Sequence, residues 1–83
     1  MLQLTLYTRQ GCHLCEDMLL QLRQLQQDWS FGLAVCDVDS NPQWHNLYHE
    51  RVPVLFSGEQ LLSQYFLDLK QLEIHLNEHS AQL

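Results

Sequence analysis

The stretch YTRQGCHLCEDM (residues 7–18) decides how this chain folds. Before it, LQLTLY (2–7) alternates apolar and polar residues, the period of a strand, and TRQG turns that strand into a tight loop. After it, Met18, Leu19, Leu22, Leu25 and Trp29 recur at helical spacing. Glu16 and Asp17 fall in the first turn, where carboxylates meet the positive end of a helix dipole. Residues 12–29 are therefore predicted as a helix of about four turns. Cys12 stands at the loop-to-helix junction and Cys15 one turn inside.

Working outward, FGLAVCDVD (31–39) is apolar on both faces, which predicts a strand inside a sheet covered on both sides and parallel to the first. SNPQWHNLYHE (40–50) opens with Ser40 or Asn41 as a cap and Pro42 at a position that a first turn tolerates, so a short helix follows. VPVLF and EQLLSQ flank Ser57-Gly58 as a hairpin whose polar second half reads as a sheet edge. From about Leu67, the residues Leu69, Leu72, Ile74 and Leu76 give a last amphipathic helix with Asp68 near its start. SAQL (80–83) reads as a frayed end. The order is β-α-β-α-β-β-α, an α/β fold with a four-stranded mixed sheet and helices on both faces.

At 83 residues the chain has room for one small domain, 1–83, with one modest core. Its first residues lack the basic and apolar regions of a signal peptide, and no apolar run approaches the ~20 residues of a membrane span, so the expected location is cytoplasmic. A formal net charge of −6 argues against nucleic acid and anionic membranes as partners, leaving a protein or small molecule. The expected state is a monomer. Three cysteines are too few for a disulfide scaffold, so free thiols are the default in a reducing compartment.

The Cys12-x-x-Cys15 pair has three readings: a redox dithiol, half of a zinc site completed by histidines such as His13, or plain packing. A cysteine at a helix N-terminus titrates below the ~8.5 of a free thiol, and the thiolate is the attacking species in disulfide exchange. Cys12 would attack a substrate disulfide, and Cys15 would resolve the mixed disulfide. The pair follows the first strand of a β-α-β unit and no second C-x-x-C exists, which favours the redox reading. The rivals are a metal-binding module and an interaction domain whose dithiol is incidental.

YTRQGCHLC, followed some forty residues later by RVPVLFSGEQL, resembles the glutaredoxin-like branch of the thioredoxin superfamily. The resemblance spans essentially the whole chain and rests on Cys12-x-x-Cys15 together with Val52-Pro53. It implies thiol-disulfide oxidoreductase activity on a disulfide-containing protein or a small disulfide. It also implies a cis Pro53 facing the dithiol, with the Val52 backbone left for an extended substrate. No bound cofactor or metal is expected; glutathione or a reductase returns the electrons. Arg9 matches a basic position that meets a carboxylate. Glutathione-using members carry Gly-Gly and acidic residues after the hairpin, where this chain has LLSQYFLDL. His13-Leu14 replaces both the Pro-Tyr of glutaredoxins and the Gly-Pro of thioredoxins.

Other residues have plainer readings beside functional ones. Arg51 either steers an acidic group or is simply solvated. His13 is a tuner of the thiolate or an exposed loop residue. The pairs His45/His49 and His75/His79 have metal-ligand spacing, yet without a carboxylate signature they read as incidental surface residues. Cys36 is expected to be a buried, inert thiol. Trp29, Trp44, Tyr48 and Phe56 read as core or core-edge packing, and Tyr7 and Tyr65 as core or groove.

Overall fold

In the computed structural model, which describes all of residues 1–83, strand β1 (Gln3–Thr8) lies between two neighbours. Its alternation separates the two faces of the sheet: Leu4 and Leu6 point one way and are fully buried, while Tyr7 points the other. Helix α1 (His13–Leu25) follows, then β2 (Trp29–Ser30), β3 (Gly32–Asp37), a single 3₁₀ turn at Val38–Ser40, and α2 (Pro42–Tyr48). The chain finishes with β4 (Val54–Ser57), β5 (Gln60–Gln64), α3 (Leu69–His79) and β6 (Ala81–Gln82). The main sheet has the order β3-β1-β4-β5, with β1 parallel to β3 and the other pairs antiparallel. This is the four-stranded mixed sheet with three helices that the sequence predicts. No helix is long and apolar enough to cross a membrane.

The two faces of the sheet are covered differently. On one, Leu4, Leu6 and Leu55 of the sheet meet Met18 and Leu22 of α1 and Leu72 and Leu76 of α3 in one leucine-rich cluster. On the other, Tyr7 stacks on Tyr48 at 4.6 Å between ring centroids and meets Trp44 and Phe56 edge-on. Helix α2 is thus held by aromatic contacts and buries no residue fully. Polar caps start each helix where the sequence offers one. Asn41 Oδ1 accepts from the Gln43 and Trp44 amides, and Asp68 Oδ1 accepts from the Gln71 amide at 3.1 Å.

Five expectations need correction. The first helix ends at Leu25, not Trp29; Trp29 sits in β2 and packs against the leucine cluster from there. The end of the chain is not frayed, because β6 pairs antiparallel with β2 and the Leu83 amide donates to the Asp28 carbonyl at 2.7 Å. Strand β3 is an edge strand, with Val35 41% exposed and Cys36 only partly buried, so its apolar composition does not mean cover on both sides. The hairpin turn is Gly58-Glu59, one residue later than read, with Gly58 at φ +59°, the value the first central residue of a tight hairpin turn needs.

The fifth correction concerns α3. Ile74 is 52% exposed, while His75 takes the inward position at 8% exposure and shares a hydrogen bond of 2.9 Å with Ser57 Oγ. Burial, and secondarily the neighbouring His79, lower the His75 pKa below its ordinary 6.5 against a smaller opposing pull from Glu78. The unfolded chain then takes up a proton at His75 before the folded chain does. This contribution to stability is complete above about pH 6.5 and is lost as pH falls below it. Thermal unfolding followed from pH 7.5 to pH 5 should show a falling midpoint, and His75→Gln should flatten that decline. An unchanged slope in the variant would mean that His75 does not carry it.

Candidate active site

Where β1 ends, the chain turns within four residues. The Cys12 amide donates to the Arg9 carbonyl at 3.3 Å and Gly11 sits at φ +71°, the arrangement of a type II turn, whose third residue needs a positive φ. The turn delivers Cys12 to the N-cap of α1 with extended backbone, and the Cys15 amide donates to Cys12 Sγ at 3.2 Å. A sulfur therefore does at this helix start what an Asp or Ser oxygen does at others. Cys12 and Cys15 are joined as a disulfide with their Cα atoms 5.2 Å apart, within the usual span for such a bond. Cys12 is half-buried, whereas Cys15 is 2% exposed against the core.

Strand register brings two further segments to the same end of the sheet. Tyr7 pairs with Val54 and Val54 with Gln64, so Pro53 and Tyr65 lie just beyond the pairing, at the end of β1 from which the chain runs to Cys12. The Val52-Pro53 peptide bond is cis, and Pro53 is buried. The Pro53 carbonyl accepts from the Tyr65 amide at 2.9 Å. Tyr65 adopts φ +66°, a left-handed conformation that a bulky residue rarely takes, and its hydroxyl donates to the Glu50 carbonyl at 3.1 Å. Between α1 and this segment lies an open cleft of about 460 Å³, lined by Leu14, Asp17 and Met18 on one side and Tyr65, Phe66 and Leu67 on the other.

The family model of the glutaredoxin-like domain (DUF836) matches residues 3–77, a span that contains every element of the main sheet and the dithiol. The chain belongs to this glutaredoxin-like family. Among solved structures it is similar to protein Ne2328 from Nitrosomonas europaea, at 43% identity and a TM-score of 0.79 over 90% of this chain and 91% of that one. It is also similar to XcR50 from X. campestris, at 28% identity and a TM-score of 0.71 over 90% and 96% of the two chains. A malarial protein at 16% identity and a TM-score of 0.66, over 94% of this chain and 96% of that one, shares the fold. No curated protein matches the chain.

In this glutaredoxin-like domain the remaining sequence candidates are dispersed. Arg9 is paired through Nε with Asp39 Oδ2 at 3.0 Å, beside His45, whose Nε2 lies 3.7 Å from the same carboxylate. Arg51 donates through Nε to Gln64 Oε1 at 3.0 Å, with its guanidinium over the Tyr48 ring. The Val52 amide donates to the Tyr48 carbonyl at 3.1 Å. His13 is exposed at the start of α1. His45 and His49 stack on each other at 4.6 Å, but no group of three or more His, Cys, Asp or Glu side chains converges. Cys36 stands in β3 opposite Tyr7, where burial raises the pKa of its thiol and favours the unreactive protonated form. Sequence reasoning passed over Leu14 and Phe66 as lining residues. The available signal was the aromatic pair Tyr65-Phe66 in a connection between strand and helix, a place where two large rings have no core to enter.

Because nothing lies within 4 Å of a Cβ built on Gly11, a side chain there meets no steric obstacle and pays only for the positive φ. Gly11→Ala should cost about 1–2 kcal/mol of stability in urea unfolding, and Gly11→Asn less, since Asn tolerates that conformation better. Equal stability of the Ala variant and the wild type would contradict the turn.

Proposed function

We propose that this protein is a thiol-disulfide oxidoreductase that reduces disulfides through Cys12 and Cys15. The observation that carries the reading is the asymmetry of the pair: one sulfur at the helix cap and reachable, the other one turn inside and buried. Once the disulfide is reduced, the Cys15 amide and the first-turn N–H groups favour negative charge on Cys12 Sγ. The Cys12 thiolate attacks a substrate disulfide, forming a mixed disulfide and expelling one substrate thiolate, which takes up a proton. Cys15 loses its proton and attacks Cys12 Sγ, breaking the mixed disulfide and releasing the second substrate thiol. Two electrons pass to the substrate, and the dithiol ends as the Cys12–Cys15 disulfide.

Val52 and Pro53 shape the substrate groove in this reading. With the Val52 amide already bonded to Tyr48, its carbonyl is the backbone group that an extended substrate meets. Arg9 and Arg51 act at the rim, since both guanidiniums already have partners. The substrate is a disulfide-containing protein or a small disulfide, and glutathione or a separate reductase restores the dithiol; no bound cofactor takes part. In this reading the protein is a monomer of a reducing compartment, the cytoplasm, where free thiols persist, and its charge of −6 suits neither nucleic acid nor an anionic membrane.

Cys15→Ser should accumulate mixed disulfides with substrate proteins, because attack survives while resolution does not, and Cys12→Ser should accumulate none. Non-reducing electrophoresis followed by mass spectrometry reads both outcomes. Retained disulfide-reducing activity in Cys12→Ser would overturn the assignment. Stoichiometric zinc that protects both thiols from alkylation would favour a metal-binding module instead. NADPH-coupled assays, run separately with glutathione plus its reductase and with thioredoxin reductase, identify the donor.

A further inference from the structure

Thiol exchange at Cys12 and Cys15 makes no use of the cleft beside them, yet the cleft begins between them, at Leu14. Across it Phe66 is 71% exposed and Tyr65 is 42% exposed, and Leu20 continues the apolar surface along α1 at 60% exposed. Two adjacent aromatic rings facing water are a poor arrangement for a segment with no partner, and Tyr65 holds its place there at an unfavourable φ. Its amide and hydroxyl are both tied to the 50–53 segment, so one wall of the cleft is fixed to the same backbone that carries Pro53. Leu14 lies two residues from Cys12 on the first turn of α1, so a chain joined to Cys12 by a mixed disulfide has this surface within reach of its neighbouring residues.

The charge of the lining restricts what fits. Asp17 is the one charged residue among the lining side chains, and no cation pairs with it. Neither arginine lines the cleft: Arg9 is paired through Nε with Asp39, and Arg51 donates through Nε to Gln64 and lies over the Tyr48 ring. Glutathione, which carries two carboxylates against one ammonium, therefore meets a carboxylate and no cation within the cleft, on a chain of net charge −6. We propose that the cleft selects polypeptide substrates, taking a bulky apolar side chain close in sequence to the substrate's cysteine and a basic residue beside it that meets Asp17. This inference deepens the oxidoreductase reading and rests on it.

The test uses the reduced full-length protein and four compounds, each with its cysteine activated as a 2-thiopyridyl mixed disulfide. Three are short peptides whose cysteine is flanked by Phe and Lys, by Ser and Lys, or by Phe and Glu; the fourth is glutathione. Attack by the Cys12 thiolate breaks the activated S–S bond and releases pyridine-2-thione, whose absorbance gives the rate. The Phe/Lys peptide should react about tenfold faster than the Ser/Lys peptide, the discrimination of an apolar pocket for a side chain it holds. It should also outpace the Phe/Glu peptide at low salt, with the gap closing as ionic strength rises. Phe66→Ser, at a position exposed enough to leave the fold intact, should bring the Phe-to-Ser ratio towards one. Asp17→Asn should remove the Lys-over-Glu preference. Equal rates for all four, fastest reaction with glutathione, or an unchanged ratio in Phe66→Ser would overturn the selection while leaving the oxidoreductase reading standing. Release from none of the four would overturn both, because Cys12 would then not be a nucleophile.

Discussion

Strand β1 is hydrogen-bonded on both sides and packed on both faces, and the position at which it stops fixes everything at the dithiol end of the molecule. Six consecutive residues pair in parallel with β3, and four of those also pair antiparallel with β4. A strand so constrained cannot slip by one residue without sending Leu4 and Leu6 to the aromatic side and Tyr7 into the leucine cluster. Its end is therefore a fixed point. The type II turn at Arg9–Cys12 carries the chain from that point to the helix cap, so the placement of Cys12 derives from the register of β1.

The same constraint explains why distant segments share the site. Pro53 and Tyr65 reach the dithiol end because β4 and β5 are registered, directly or through one neighbour, on β1. Tyr65 is then held by bonds to the Pro53 and Glu50 carbonyls, which offset the cost of its left-handed backbone. The arginines, by contrast, are turned to local partners. Arg9 is held through Nε against Asp39 beside the 9–12 turn, and Arg51 bridges through Nε to Gln64. The open cleft is lined mainly by apolar side chains, with Asp17 its single carboxylate.

The two faces of the sheet divide stability unevenly. One is a leucine-rich cluster with residues fully removed from water, and the other an aromatic layer beneath a two-turn helix that buries nothing completely. Replacing water around leucine side chains is favourable in proportion to the area removed, which places most of the hydrophobic driving force on the α1 and α3 side. Cys15 belongs to that side, and its reaction partner Cys12 lies at its margin.

The order of the four main-sheet strands and three helices, the start of the first helix, the family and the dithiol were legible in the sequence, because each rests on local signals: a period of 2 or 3.6, a capping residue, a two-residue cysteine spacing. What escaped it depended on neighbours distant along the chain. An apolar strand reads the same at the centre of a sheet or at its edge, and only its pairing places β3 at the edge. Trp29 fits the leucine spacing of α1, but Gln26 caps that helix and sends Trp29 to the core from a strand instead. The last residues look polar and unattached until β2 supplies a partner for them. On α3, periodicity favoured Ile74 over His75, yet Ser57 from the hairpin offers the histidine a hydrogen bond that makes burial tolerable. The cleft is of the same kind: Leu14 and Phe66 lie 52 residues apart in sequence, and only the packing of the segment after β5 beside α1 makes them opposite walls of one surface.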